Sequence, residues 1–190
     1  MWGGRAAVTS PSPVTSPLYD TVMAFHVLAA VVGFGALGST GAYAAAARRA
    51  RDPFASVSLR RYFGSGRNWA ARAVLLVPLL GGALLGLGGG RDLAAAWPWI
   101  GLAIWTVAVA VASAVLWPAE REIQRLLAFA PGGRPATATG PGPEPEPARE
   151  PGAGRGARHA VSAAARRAEL ASAATSLLFV AALVVMIWQP

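Results

Sequence analysis

Apolar residues in this chain gather in long unbroken blocks, not in the alternation of a half-buried strand. Four blocks stand out, at about 19–47, 69–87, 97–117 and 170–188. A helix needs about 20 apolar residues to cross the hydrocarbon core of a bilayer, and each block reaches or approaches that length. The pattern predicts an all-α, polytopic membrane four-helix bundle. Trp97 and Trp117 bracket the third block and Trp188 closes the fourth, as aromatic belts do at membrane interfaces. Pro78 falls inside the second block, where a missing backbone donor is expected to kink the helix. Pro98 suits the first turn of the third.

The segments between the blocks predict further elements. Residues 1–18 carry Pro11, Pro13 and Pro17 among Ser and Thr, without periodicity, and read as a disordered arm. After the first block, Asp52 and Pro53 read as an N-cap and first helical residue, opening a short interfacial helix through Arg60, Arg61 and Phe63. In 118–130, Ile123, Leu126, Leu127 and Ala130 recur at helical spacing on one face, with Glu120 and Glu122 near the N-terminal end. That segment is an amphipathic helix on the membrane surface or a bent extension of the third span. Residues 131–158 are a Pro/Gly-rich run that buries too little apolar surface to offset its ordering entropy, and read as a disordered insert. Helix resumes near His159 and leads into the fourth span.

Charge gives the chain a direction. All 17 basic residues are Arg, and they cluster beside the apolar blocks. The first connection and its flanks hold Arg48, Arg49, Arg51, Arg60, Arg61, Arg67 and Arg72; the third holds Arg121, Arg125, Arg134, Arg149, Arg155, Arg158, Arg166 and Arg167. The opposite side has Arg5 and Arg91. Excess Arg marks the cytoplasmic face, so both termini are expected outside. Cleavage of a signal peptide near Ala42-Tyr43-Ala44 would put the first Arg-rich connection outside, against that rule, and the apolar block before it is too long for a signal sequence. The arginines flanking the spans read as contacts to anionic phospholipid, which argues against nucleic acid as the meaning of the net charge of +8. Charged residues make up 14% of the chain, against about 25% in soluble domains. The excess of Ala, Gly and Arg suggests a GC-rich bacterial genome, and hence the bacterial cytoplasmic membrane. The chain has no Cys, so disulfides and thiolate sites are excluded.

Candidate chemistry is sparse. Gly35, Gly38, Ser39 and Ala42 form a small-residue stripe on the first span, a packing face inside the bundle or a homodimer contact. His26 is the one histidine inside a block, on nearly the opposite face; Met23 lies one turn earlier, and Met186 in the fourth span is expected at similar depth. His and Met together could ligate haem iron or copper; otherwise His26 is a hydrogen-bonded polar residue with Met as filler. His159 is expected on the other side of the membrane, in a solvated loop. Asp20 and Asp92 read as helix caps. With two histidines, neither a Ser-His-Asp triad nor a paired-His zinc motif is available, and no enzymatic activity is expected.

The run from His26 through Ala29, Ala30 and Gly33 to Gly35 resembles the opening span of a family of uncharacterised bacterial integral membrane proteins, domain of unknown function 2269. The likeness takes in Arg51-Asp52-Pro53, Gly81 to Gly86, and Leu116-Trp117-Pro118, over about 19–127 and 168–188. It implies about four spans and no established activity. The same His26 run bears a more distant likeness to copper-resistance protein D-type membrane domains. Three roles are compatible with these residues: a non-enzymatic accessory or scaffold subunit that meets a membrane-protein partner or anionic lipid, a haem or copper protein using His26, and a small transporter. Inverted repeats and buried charge pairs, the usual transporter signals, are not evident.

Overall fold

The computed structural model describes residues 16–64, 66, 68–128 and 153–188. Helix α1 spans Pro17–Arg49 and α2 spans Val57–Gly64. Next come α3 (Trp69–Arg72), a 3₁₀ turn (Ala73–Leu76) and α4 (Val77–Leu87). A second 3₁₀ turn, Arg91–Ala94, leads to α5 (Ala96–Val111), a π-helical turn (Ala112–Leu116) and α6 (Trp117–Ala128). Helix α7 runs over Ala153–Trp188. Four of these helical runs are long and apolar enough to cross a membrane: Pro17–Arg49, Trp69–Leu87, Ala96–Ala128 and Arg155–Trp188.

Helix boundaries follow local chemistry. Ser16 caps α1, its Oγ accepting from the Tyr19 N–H at 3.2 Å, with Pro17 in the first turn. Asp20 is thus within the first turn and not the cap. The Asp52 carboxylate accepts from the Phe54 N–H at 3.0 Å, which closes a turn, not a helix start. Helix α2 therefore opens four residues later than expected, with Ser56 Oγ facing the Leu59 N–H at 3.5 Å. The expected arm at 1–18 falls outside the described residues up to 15, but Pro17 and Leu18 are helical. Most of the expected insert, 131–158, is also outside them; 153–158 already belong to α7, so that helix starts before His159, and His159 is an exposed helical residue, not a loop histidine.

Beyond the first-turn prolines Pro17 and Pro98, two prolines lie deep in helical runs, each at the second residue of an α-segment that follows a non-α turn. Pro78 comes after the 3₁₀ turn and Pro118 after the π turn. A proline supplies no N–H and crowds the carbonyl four residues back, so the preceding turn tightens or widens to accommodate it. For Pro78 that carbonyl is Val74 O. It accepts the Val77 N–H in the 3₁₀ turn and the Trp105 indole N–H at 2.9 Å from the third span. The backbone defect in one span becomes a joint to another.

Helices α1 and α7 pack along one another as the central pair. The second span lies on α1, while α5 and α6 lie on α7. Phe34 and Phe179 stack at 4.4 Å between the central helices, and Ser172 Oγ donates to Leu37 O at 2.9 Å beside them. Two glycines set how closely α1 is approached. A Cβ on Gly33 would collide with the Val74 backbone, and one on Gly41 with the Ser172 side chain. Gly35, Ser39 and Ala42 are exposed, and Gly38 is half-buried. Of the stripe read from sequence as bundle packing or a homodimer contact, only Gly38 is turned toward α7, and the close helix-packing positions on α1 are Gly33 and Gly41.

The runs containing α1 and α5–α6 are 33 residues each, about 50 Å at 1.5 Å per residue, against about 30 Å of hydrocarbon. The surplus extends the arginine-rich end into a packed helical knob. There Leu59 and Phe63 of α2, Ile123 and Leu127 of α6, and Val161, Ala164, Ala165 and Ala168 of α7 join Ala44 and Ala47 in the core. Ile123 and Leu127 on the apolar face of α6 are thus covered by protein, and α6 continues the third span through the π turn. Beyond Thr175, α7 has no fully buried residue. There Leu177, Val180, Leu183, Val184 and Ile187 are exposed, as lipid contact requires, while Leu178 and Phe179 stay packed against the core.

Candidate functional site

His26 is 8% exposed, and its Nδ1 lies 3.0 Å from Val77 O in the second span. A carbonyl only accepts, so Nδ1 carries the proton and donates, leaving the Nε2 lone pair. Gly81, one turn from Val77, gives the ring room: a Cβ there would lie 3.3 Å from the imidazole Cε1. His26 thus joins the first and second spans. Met23 is 37% exposed and Met186 half-buried, and neither bonds to His26. Among the described residues no group of three His, Asp or Glu side chains converges as metal ligands would.

A second polar cluster lies where the spans meet the knob. Thr40 Oγ1 donates to Ala36 O at 3.1 Å, so it accepts from the Tyr62 hydroxyl at 2.9 Å. The Asn68 amide nitrogen is 3.5 Å from both oxygens, while Asn68 Oδ1 caps α3 by accepting from the Ala71 N–H at 3.2 Å. The Tyr62 ring stacks on Tyr43 at 3.9 Å. Burial pushes the Tyr62 phenol above its ordinary pKa; the Thr40 hydrogen bond opposes this, and Glu120 and Tyr43 add to it. Tyr62 therefore stays a neutral donor at physiological pH.

Beside this network is a cavity of about 220 Å³ lined by Asn68, Arg72, Trp117, Glu120, Arg121 and Gln124. Trp117, Glu120, Arg121 and Gln124 are at i, i+3, i+4 and i+7, one face of α6. Asn68 and Arg72 face them from the start of the second span. The Arg72 guanidinium lies 5.1 Å from the Trp69 ring centroid and 5.6 Å from that of Trp117. Gln124 Nε2 donates to Gly66 O at 2.9 Å. Glu120 is 7% exposed and has neither a hydrogen bond nor an ion pair among the described residues. The sequence reading took Glu120 as a dipole partner at a helix end. Its same-face spacing with Trp117, Arg121 and Gln124 was the available signal.

The arginines expected at lipid divide in three. Arg48 pairs with Glu169 of α7 through Nε at 3.0 Å and Nη2 at 3.3 Å, and the Arg72 guanidinium lies near the Trp69 and Trp117 rings. Those two have protein partners. Arg49, Arg51, Arg60, Arg61, Arg121, Arg125, Arg166 and Arg167 are exposed at the knob end, Arg125 lying 4.0 Å from Glu122. Arg67 is outside the described residues.

Continuous apolar helices joined by backbone-bonded polar side chains, with an arginine-rich knob at one end, define an all-α polytopic integral membrane protein. More narrowly, the chain belongs to the family described as predicted integral membrane protein, DUF2269, whose model matches residues 20–137. The match covers the first three spans and α6, and stops before α7. No curated protein and no solved structure matches the chain, so the likeness to copper-resistance protein D-type domains has no support.

Proposed function

We propose that this protein is a non-enzymatic scaffold or accessory subunit of the bacterial cytoplasmic membrane, with the arginine-rich knob in the cytoplasm and both termini outside. The observation that carries the reading is how the polar side chains inside the spans are used. His26 bonds to Val77 O, Ser172 to Leu37 O, Thr175 to Ala171 O, and Trp105 to Val74 O. The first, second and fourth join one span to another and the Thr175 bond is internal to α7; none of these donors is left aimed at a shared substrate volume. Exposed arginines on the knob supply a surface for anionic phospholipid or an acidic partner protein. Purification in mild detergent, with mass spectrometry of the intact assembly, tests this. A stoichiometric complex with another membrane protein, or a homodimer, is the expected result. A lone chain under every mild condition contradicts it.

One observation favours a second reading, haem or copper bound through His26. Donation from Nδ1 to a carbonyl is the arrangement that orients a ligating imidazole and leaves Nε2 for a metal. The same preparation decides: a visible absorption band or bound copper that disappears in His26→Gln supports this reading, and a colourless, metal-free preparation from metal-replete cells ends it.

A further inference from the structure

Glu120 poses a physical problem that the scaffold reading leaves unanswered. At 7% exposure, burial disfavours the charged form of this carboxylate, and the Arg72 and Arg121 guanidinium groups oppose that through their field alone. Here the side chain lines a cavity without a hydrogen bond or ion pair among the described residues. Arg121, its neighbour in sequence, lines the same cavity and likewise forms no hydrogen bond or ion pair there. The volume therefore presents a carboxylate and a guanidinium on one helix face, each with its hydrogen-bonding capacity open, and Arg121 and, from the opposite wall, Arg72 set a positive field at Glu120.

Position and size narrow the occupant. Trp117 ends the third span and Trp69 begins the second, so the cavity lies at the level where aromatic side chains mark the headgroup region. Its volume of about 220 Å³ is below the ~300–1,000 Å³ of sites for drug-sized ligands, which suits a headgroup-sized group. A purely anionic group would meet Arg121 but be repelled by Glu120. A simple cation would meet the reverse conflict. A group carrying both charges close together meets neither.

We propose that the cavity lined by Glu120, Arg121, Arg72, Asn68, Gln124 and Trp117 binds the zwitterionic headgroup of an ethanolamine phospholipid, its primary ammonium on Glu120 and its phosphodiester on Arg121. The ammonium supplies three N–H donors for the unpartnered carboxylate, and the guanidinium is a planar fork matched to phosphate oxygens. A choline headgroup carries the same charges but no N–H, so it cannot satisfy Glu120. A glycerol phosphodiester has no cation for it.

The test uses the full chain released into detergent and titrated separately with phosphatidylethanolamine, phosphatidylcholine and phosphatidylglycerol of matched acyl chains, read by native mass spectrometry. The expected result is at least tenfold preference for the ethanolamine lipid over both others. Glu120→Gln is expected to erase the preference over phosphatidylcholine, and Arg121→Gln to weaken all three lipids. Soluble phosphoethanolamine in excess is expected to displace the lipid only partly, because it lacks the acyl chains. Equal retention of the three lipids by the unmodified protein overturns the proposal, and needs no variant to fold. So does a preference unaffected by Glu120→Gln, or tight binding of soluble phosphoethanolamine with no retention of the lipid.

Discussion

Gly33 and Gly35 are two residues apart on α1 and face opposite surroundings. Gly33 lies against the Val74 backbone, whereas a Cβ on Gly35 would meet nothing within 4 Å. Ala in place of Gly removes a helix-propensity penalty of about 1 kcal/mol, but forcing a methyl into a packed contact costs about 1–3 kcal/mol. Gly33→Ala is therefore expected to lower the thermal midpoint in detergent by several degrees, and Gly35→Ala to leave it unchanged or raise it slightly. Equal effects at the two positions would mean that α1 is rotated from the orientation described. This is where the sequence was least informative. Spacing shows that Gly35, Gly38, Ser39 and Ala42 share a face, but not which way the face points. That depends on Val74 and Ser172, residues far along the chain whose positions no local pattern encodes. His26 was legible as a polar residue in a span, and its partner, a main-chain carbonyl, leaves no mark in side-chain sequence.

Among the elements, the second span shows how a local defect becomes a tertiary contact. Pro78 was legible as an irregularity, but the consequence is a 3₁₀ turn over Ala73–Leu76 and an acceptor at Val74 O taken up by Trp105. Trp105→Phe keeps an aromatic ring and removes the indole donor. Because Val74 O retains its bond from Val77, the expected loss is about 0.5–1.5 kcal/mol, read as a lower unfolding midpoint in detergent. The loss is expected to shrink when Pro78→Ala is added, since the substituted residue brings a backbone N–H that can take the carbonyl. Additive effects of the two substitutions would show that the indole bond is unrelated to the proline. The amphipathic face of α6 was legible from Ile123 and Leu127 at helical spacing. What covers it was not: α2 and the first half of α7 do so, and α7 follows a long Pro/Gly-rich stretch across which sequence spacing gives no register.

At the scale of the molecule, continuous apolar length was enough to place four spans, because hydrocarbon leaves the backbone few alternatives to helix. The same length argument explains the knob: three runs exceed the bilayer by several turns, and the surplus carries the exposed arginines and the core around Leu59, Phe63 and Ile123. Each span turns back on the one before, so that α2, α6 and the start of α7 share one end of the bundle, with the Arg91–Ala94 turn at the other. The chain has no cysteine, so single cysteines can report side without background. Ser58, Ala94 and Ala163 are exposed positions in α2, the opposite turn and α7. The direct measurement is labelling of Ser58→Cys, Ala94→Cys and Ala163→Cys in intact spheroplasts with a membrane-impermeant maleimide, repeated after lysis. Ala94→Cys is expected to label before lysis, and Ser58→Cys and Ala163→Cys only after it; labelling of Ser58→Cys and Ala163→Cys on different sides would rule this topology out.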